Sequence, residues 1–177
     1  MQYIDHYDSP LGEITLAGDG ENLTGLWFEK NRFAGDVLKD QAVEKNLPVF
    51  DGTKRWLDLY FQGKEPDFTP PVRVTGSAFR QMVCGIMSGI PYGETMTYGE
   101  IAKIVARRRG IARMSAQAVG GAVGHNPVSI IIPCHRVVGV NGNLTGYGGG
   151  IERKIALLEL ENVDMKKFFV PAKGTAL

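Results

Sequence analysis

The most constraining stretch of this 177-residue chain runs from Asn126 to Val138. Ile130, Ile131 and Ile132 form a continuous rather than alternating β-branched run, which predicts a short strand buried on both faces. Pro133 has no N–H to give a sheet ladder, so pairing is expected to stop there. The strand then delivers Cys134 and His135 to its exit. Thiolate is the strong form of the nucleophile, and a neighbouring imidazole lowers the thiol pKa and accepts its proton. Side chains adjacent on a strand point to opposite faces, so the two are expected to communicate through a bridging water. Taken alone, the same pair also describes a packed structural thiol beside an ordinary histidine.

The length allows one compact domain or two small ones. Hydrophobic residues make up 44% of the chain, enough for a core. No run approaches the roughly 18 apolar residues of a membrane span, and Met1 to His6 do not read as a signal sequence. Cys84 and Cys134 are the only cysteines. They are read as free thiols of a reducing compartment, too few for a cysteine-built zinc site. The net charge of +1 means that any nucleic-acid surface must be local. The candidate is the cluster Lys103, Arg107, Arg108, Arg109 and Arg113, which a solvated helix face would also explain.

Residues 1 to about 48 read as strands separated by turns at Ser9 to Gly12 and Gly18 to Gly20. His6 has no second ligand nearby. Thr53 to Gln62 predicts a helix stopped by Gly63, and Gly63 to Gly76 reads as an interdomain linker. Ser77 caps a helix whose apolar positions Phe79, Met82, Val83, Ile86 and Met87 share one face; Cys84 lies off that stripe and reads as packing. Thr97 and Glu100 form a capping box for the next helix. After a turn near Gly110, a helix from about Ser115 to Val123 is nearly all alanine and glycine. Glycine in a helix interior costs about 1 kcal/mol relative to alanine, so its smallness serves close approach, either to a neighbouring element or to a nucleic-acid backbone. The pair has helix-turn-helix proportions. Asn141-Gly142 between Val137 to Val140 and Leu144 to Tyr147 predicts a hairpin, and hence a wing. Gly148, Gly149 and Gly150 leave a side-chain-free segment near the thiol. A last helix, from about Ile151 to Asn162, places Glu161 within its apolar arc. A carboxylate facing a core needs a partner, and His135 is the proposed one. Asp164 to Leu177 reads as a loosely held tail.

Pro133-Cys134-His135-Arg136-Val137, with Asn126-Pro127 before it and Gly146-Tyr147 after it, resembles the signature of the methylated-DNA–protein-cysteine methyltransferases, the O6-alkylguanine-DNA alkyltransferases. Ile90-Pro91-Tyr92-Gly93-Glu94, Thr97-Tyr98-Gly99-Glu100 and Ala118-Val119-Gly120-Gly121-Ala122 are similar to other blocks of that family. The close match covers about residues 76 to 161. It implies an α+β fold: a small N-terminal β-sheet domain with a helix (residues 1–75, including the linker), then a mostly helical winged helix-turn-helix domain (76–177). It also implies a cytoplasmic monomer, without cofactor or metal, that acts once on double-stranded DNA containing O6-alkylguanine. Cys134 takes the alkyl group, His135 deprotonates it through water, and Glu161 orients His135. Asn126 braces the turn between the reading helix and the active-site strand. Tyr98 presses on the nucleotide's phosphate and donates to guanine N3. Tyr147 lines the pocket, the Cys134 and Val137 carbonyls accept from the guanine amino group, and the Gly148 N–H donates to O6. Ser115, Ala116, Gln117, Ala118 and Gly120 belong to the helix that enters the minor groove, where small residues read little sequence and the target nucleotide is flipped out.

Gln117 departs from the arginine that many relatives use to fill the gap left by the flipped base, and Cys84 stands where a tryptophan is common. Two other classes of function fit parts of the pattern. A non-catalytic lesion-recognition protein would share the DNA-binding half but has no use for Cys134. A cysteine hydrolase would need an oxyanion hole, and no motif demands one.

Overall fold

The computed structural model describes residues 1–31, 34, 38 and 41–172. Contacts divide them into two units: Met1–Thr75 together with Pro127–Ile131, and Gly76–Asn126 together with Ile132 onward.

In the first unit, Tyr3–Ser9 (β1), Gly12–Gly18 (β2), Leu23–Phe28 (β3) and Val43–Glu44 (β4) form a sheet in the order β3-β2-β1-β4. β1, β2 and β3 are antiparallel neighbours, and β4 runs parallel to β1. Ile14, Leu16, Leu26 and Phe28 are fully buried, as the alternating pattern of a half-covered sheet requires. Parts of the expected strand region, such as Arg32 and Phe33, lie outside the described residues. The covering helix is Pro48–Phe61 (α1), which begins before the expected Thr53. Proline at the first helical turn explains the early start, because its missing N–H would have no helical acceptor there. Trp56 and Tyr60 stack one turn apart, with ring centroids 5.2 Å apart.

The stretch read as a linker takes part in this unit. Leu23 N–H donates to Pro71 O (2.8 Å) and Arg73 N–H to Leu23 O (2.9 Å), so Val72 bridges β3. Val128 bridges Leu26 in the same way, through Leu26 N to Pro127 O (2.9 Å) and Ser129 N to Leu26 O (2.9 Å). Residues 127–131, read from sequence as part of the second domain, therefore pack with the first unit.

The second unit contains Ala78–Ser88 (α2), Met96–Thr97 (β5), Tyr98–Arg109 (α3), Ala116–Gly124 (α4), Val137–Val138 (β6) and Ile151–Leu160 (α5). Local chemistry sets its helix starts. Ser77, Thr97 and Ser115 each accept the N–H three residues on, and Glu100 completes the capping box at Thr97. Gly110 ends α3 at φ +65°, the left-handed conformation that glycine adopts without strain.

Three expectations are corrected here. Ile130 to Ile132 are not a strand. Ile130 is buried but sits at φ +68°, and Ile131 N–H bonds Ser129 O (2.8 Å) in a tight turn. A β-branched residue in that region is rare and strained. The hairpin is also incomplete. Asn141 and Gly142 do make the turn, at φ +59° and +81°, but β6 pairs in parallel with β5. Leu144 N–H instead donates to Phe169 O (2.9 Å), and Phe169 N–H to Gly142 O (3.0 Å). The described part of the tail is therefore docked: Val163, Met165 and Phe168 pack on Val138, Leu144 and Leu158. A side chain at Gly142 would strike the Lys167 carbonyl at 1.9 Å. Residues 173–177 lie outside the described residues.

Candidate active site

Pro133 turns the chain into the site. At φ −82° and ψ 67° it forms an inverse γ-turn, with Cys134 N–H donating to Ile132 O (2.8 Å). Cys134, His135 and Arg136 then make one 3-10 turn rather than the end of a strand. The objection that neighbours point apart on a strand no longer applies. Asn126 spans the excursion: its side-chain N–H donates to Ile132 O (2.8 Å), joining the end of α4 to the approach to Cys134.

His135 is fully buried, and its Nε2 lies 2.5 Å from Glu161 Oε2. Glu161 caps the end of α5 and accepts two further bonds on Oε1, from Arg136 Nε (2.7 Å) and Gly93 N–H (3.1 Å). Arg136 also donates to Ile90 O (2.7 Å). The Ile90 to Gly93 bend is thus the cradle of the carboxylate. Burial pushes the Glu161 carboxyl up, but the bonds from His135 and Arg136 outweigh it and hold the pKa at about 2. Burial holds the His135 pKa below its ordinary value; Glu161 pulls the other way, and Arg136 and Lys154 add to the lowering. The resting pair is a neutral imidazole donating from Nε2 to a carboxylate, which leaves the proton-accepting lone pair on Nδ1. Cys84 is buried, and burial pushes its thiol up to about 12. It stays protonated at neutral pH and serves packing.

Sequence reasoning missed Lys154. It is completely buried, and its ammonium donates to the carbonyls of Val137 (2.6 Å), Thr145 (3.1 Å) and Gly146 (3.3 Å). Burial lowers its pKa to about 8, and a thiolate at Cys134 raises it. That attraction is mutual, so the ammonium also favours the thiolate. Lys154, Leu157, Leu158 and Glu161 follow the i, i+3, i+4, i+7 pattern of one helix face. A lysine on the apolar stripe was the available signal. Lys154→Met is expected to cost roughly 1–3 kcal/mol, because carbonyls lose their donor. In single-turnover rate profiles it should move the apparent thiol pKa upward. Lys154→Arg should restore little, because a planar fork cannot replace a compact three-way donor.

The parallel pair β5–β6 sets Tyr98 beside this turn, with Met96 opposite Val137 and Thr97 opposite Val138. Tyr98 is buried, donates to Thr145 O (3.3 Å) and carries Lys154 Nζ 5.9 Å from its ring centroid. Burial, and then a thiolate at Cys134, raise its phenol pKa. Tyr147 is buried, and its carbonyl accepts from Gly150 N–H (2.9 Å) across the glycine turn. The Gly148 N–H bonds to nothing among the described residues.

On α4 the exposed face holds Ala116, Gln117, Ala118 and Gly121, led by the exposed cap Ser115. Gly120 is buried, and at about 100° per residue it lies on the arc between Ala116 and Gln117. Gly121 is exposed and lies on the same arc between Gln117 and Ala118. A Cβ at Gly121 would meet nothing within 4 Å.

Fold and site together define a protein with a nucleophilic cysteine, built on a helix-turn-helix. Residues 3–74 match the 6-O-methylguanine DNA methyltransferase, ribonuclease-like domain, and residues 78–163 match the DNA binding domain of the same enzymes. The methylated-DNA–protein-cysteine methyltransferase of Haemophilus influenzae is 41% identical over 162 residues, 91% of this chain and 87% of that protein. That of Mycobacterium tuberculosis is 44% identical over 166 residues, 88% of this chain and 92% of that protein. The crystal structure of Mycobacterium tuberculosis OGT in complex with DNA superposes with a TM-score of 0.79 at 41% identity, covering 96% of each chain. The chain belongs to the 6-O-methylguanine DNA methyltransferase family.

Proposed function

We infer that this protein repairs DNA by moving a methyl or other alkyl group from O6 of guanine onto Cys134, once per molecule. The observation that carries the reading is the buried His135–Glu161 pair, whose imidazole sits on the same 3-10 turn as Cys134. His135 takes the thiol proton through a water. The Cys134 sulfur attacks the alkyl carbon in line, the carbon–O6 bond breaks, and its electron pair returns to guanine, which is reprotonated. The product is a thioether and an unmodified guanine. A thioether is not hydrolysed under physiological conditions, so nothing regenerates the thiol, and the residues invoked need no cofactor.

Tyr98 exchanges its bond to Thr145 O for one to guanine N3, and the Gly148 N–H donates to O6. Together they neutralise the departing base. The Cys134 and Val137 carbonyls accept from the guanine amino group, and Tyr147 walls the pocket. Lys154 already donates to Val137 O, which orients that carbonyl. The nucleotide leaves the duplex stack at a cost of a few kcal/mol, with Ser115, Ala116, Gln117 and Ala118 in the minor groove. Gln117 hydrogen-bonds the orphaned partner base. Residues 76–177 carry the chemistry and the DNA contact. No described helix is long and apolar enough to cross a membrane, and a cytoplasmic location fits two cysteines that form no disulfide among the described residues.

The test is intact-protein mass spectrometry after incubation with a short duplex containing one O6-methylguanine, followed by peptide mapping. One methyl group on Cys134, together with restored guanine, is expected. Tight duplex binding without a mass change would replace this reading with lesion recognition.

A further inference from the structure

We propose that a groove between the second half of α3 and residues 111–114 seats the DNA sugar-phosphate backbone beside the lesion, with Lys103, Arg107 and Arg113 as its phosphate contacts. The proposal rests on the DNA reading above and extends the contact surface beyond α4. The groove has a volume of about 500 Å³. It is lined by Ala102, Ala106, Ile111 and Met114 together with the three cations. Lys103 and Arg107 lie one turn apart on α3, and Arg113 comes from the loop. All three are exposed, and among the described residues none is in an ion pair.

Charge segregation sets this surface apart. Residues 101–151 contain no aspartate or glutamate, although the whole chain is nearly neutral. Of the cations in that stretch, Arg136 is committed to Glu161, and Arg109 stacks on Phe79 at 5.1 Å. The helix dipole accounts for cations in the last turn of α3, but Lys103 precedes that turn and Arg113 follows the helix. A duplex is a dense line of phosphates, and its affinity comes largely from cations that displace condensed counterions. Helix α4 supplies none: Ala116–Gly124 contains no charged residue, and Gln117 is neutral. The charge must come from elsewhere. The groove adjoins α4 directly, because Met114 on its wall precedes the cap Ser115.

The test compares wild type with the triple variant Lys103→Gln, Arg107→Gln, Arg113→Gln, all at exposed positions. Binding to an O6-methylguanine duplex is measured across salt concentrations, and methyl transfer is measured from that duplex and from free O6-methylguanine base. The slope of log affinity against log salt should become shallower by about 2–3, at roughly 0.9 per lost phosphate contact. Transfer from subsaturating duplex should slow at least tenfold, while transfer from the free base is unchanged. Neutral methylphosphonate linkages beside the lesion should weaken wild type and leave the triple variant unaffected. Arg108→Gln, which removes one charge outside the groove, should change the slope by less than one unit. An unchanged slope in the triple variant, or an equal loss on the free base, would overturn the proposal. Failure of wild type to transfer from either substrate would instead overturn the repair reading, while the salt slope would still decide the groove.

Discussion

Cys134→Ser is expected to bind an O6-methylguanine duplex as wild type does and to gain no methyl group in the time wild type reacts to completion. In the proposed reaction His135 takes the proton of a thiol. A serine hydroxyl there stays protonated, because the buried neutral imidazole is far too weak a base to ionise an alcohol. The fold should survive: an added buried hydroxyl costs roughly 1–3 kcal/mol when it finds no partner. Cys84 should not substitute as acceptor, since burial pushes its thiol up to about 12. Mass spectrometry and fluorescence anisotropy on the same samples read both halves of this outcome. A methyl group on the variant protein would mean that the acceptor is not Cys134.

Glu161→Ala should damage stability and chemistry together. The carboxylate is 2% exposed and accepts from His135, Arg136 and Gly93. Removing it leaves the Arg136 guanidinium largely buried without its anion, at a cost of about 3–5 kcal/mol. It also frees the imidazole to rotate, and the loss of an oriented general base should slow transfer by roughly 10²–10⁴. Glu161→Gln keeps the shape and the Gly93 bond, so it should recover part of the stability but little of the rate. Acid should act on the same group. The folded carboxyl titrates near 2, against an ordinary value of 4.5. Its contribution is therefore complete above about pH 4.5 and lost as pH falls towards 2, on the order of 3 kcal/mol in all. His135, held neutral by burial, stabilises above its ordinary 6.5 and loses that contribution as pH falls below it. Denaturant unfolding of wild type should thus weaken in two stages on acidification. Glu161→Ala should lack the lower stage and show a deeper upper one, because the carboxylate no longer favours the imidazolium.

What the sequence determined by itself is what depends on neighbours within a few residues. The caps at Ser77, Thr97 and Ser115, the stop at Gly110 and the turn at Asn141-Gly142 are each decided by groups three or four positions apart, and all appear where the pattern places them. The thiol beside an imidazole is covalent fact, and the carboxylate on the apolar arc of α5 required a partner, which is His135. Tertiary structure decided the rest. Ile130 has strand propensity, yet it is Val128 that bridges β3, and Ile130 turns away at a positive φ. Val137 and Val138 pair with β5 rather than across their own turn, because the docked tail takes up Leu144 and Gly142. Sequence alone assigns no role to Arg136 or Lys154. The apolar stripe of α5 hints that Lys154 is buried, but only the fold shows that Arg136 pins Glu161 and that Lys154 ties the carbonyls of Val137, Thr145 and Gly146, since a buried cation's acceptors are distant in sequence.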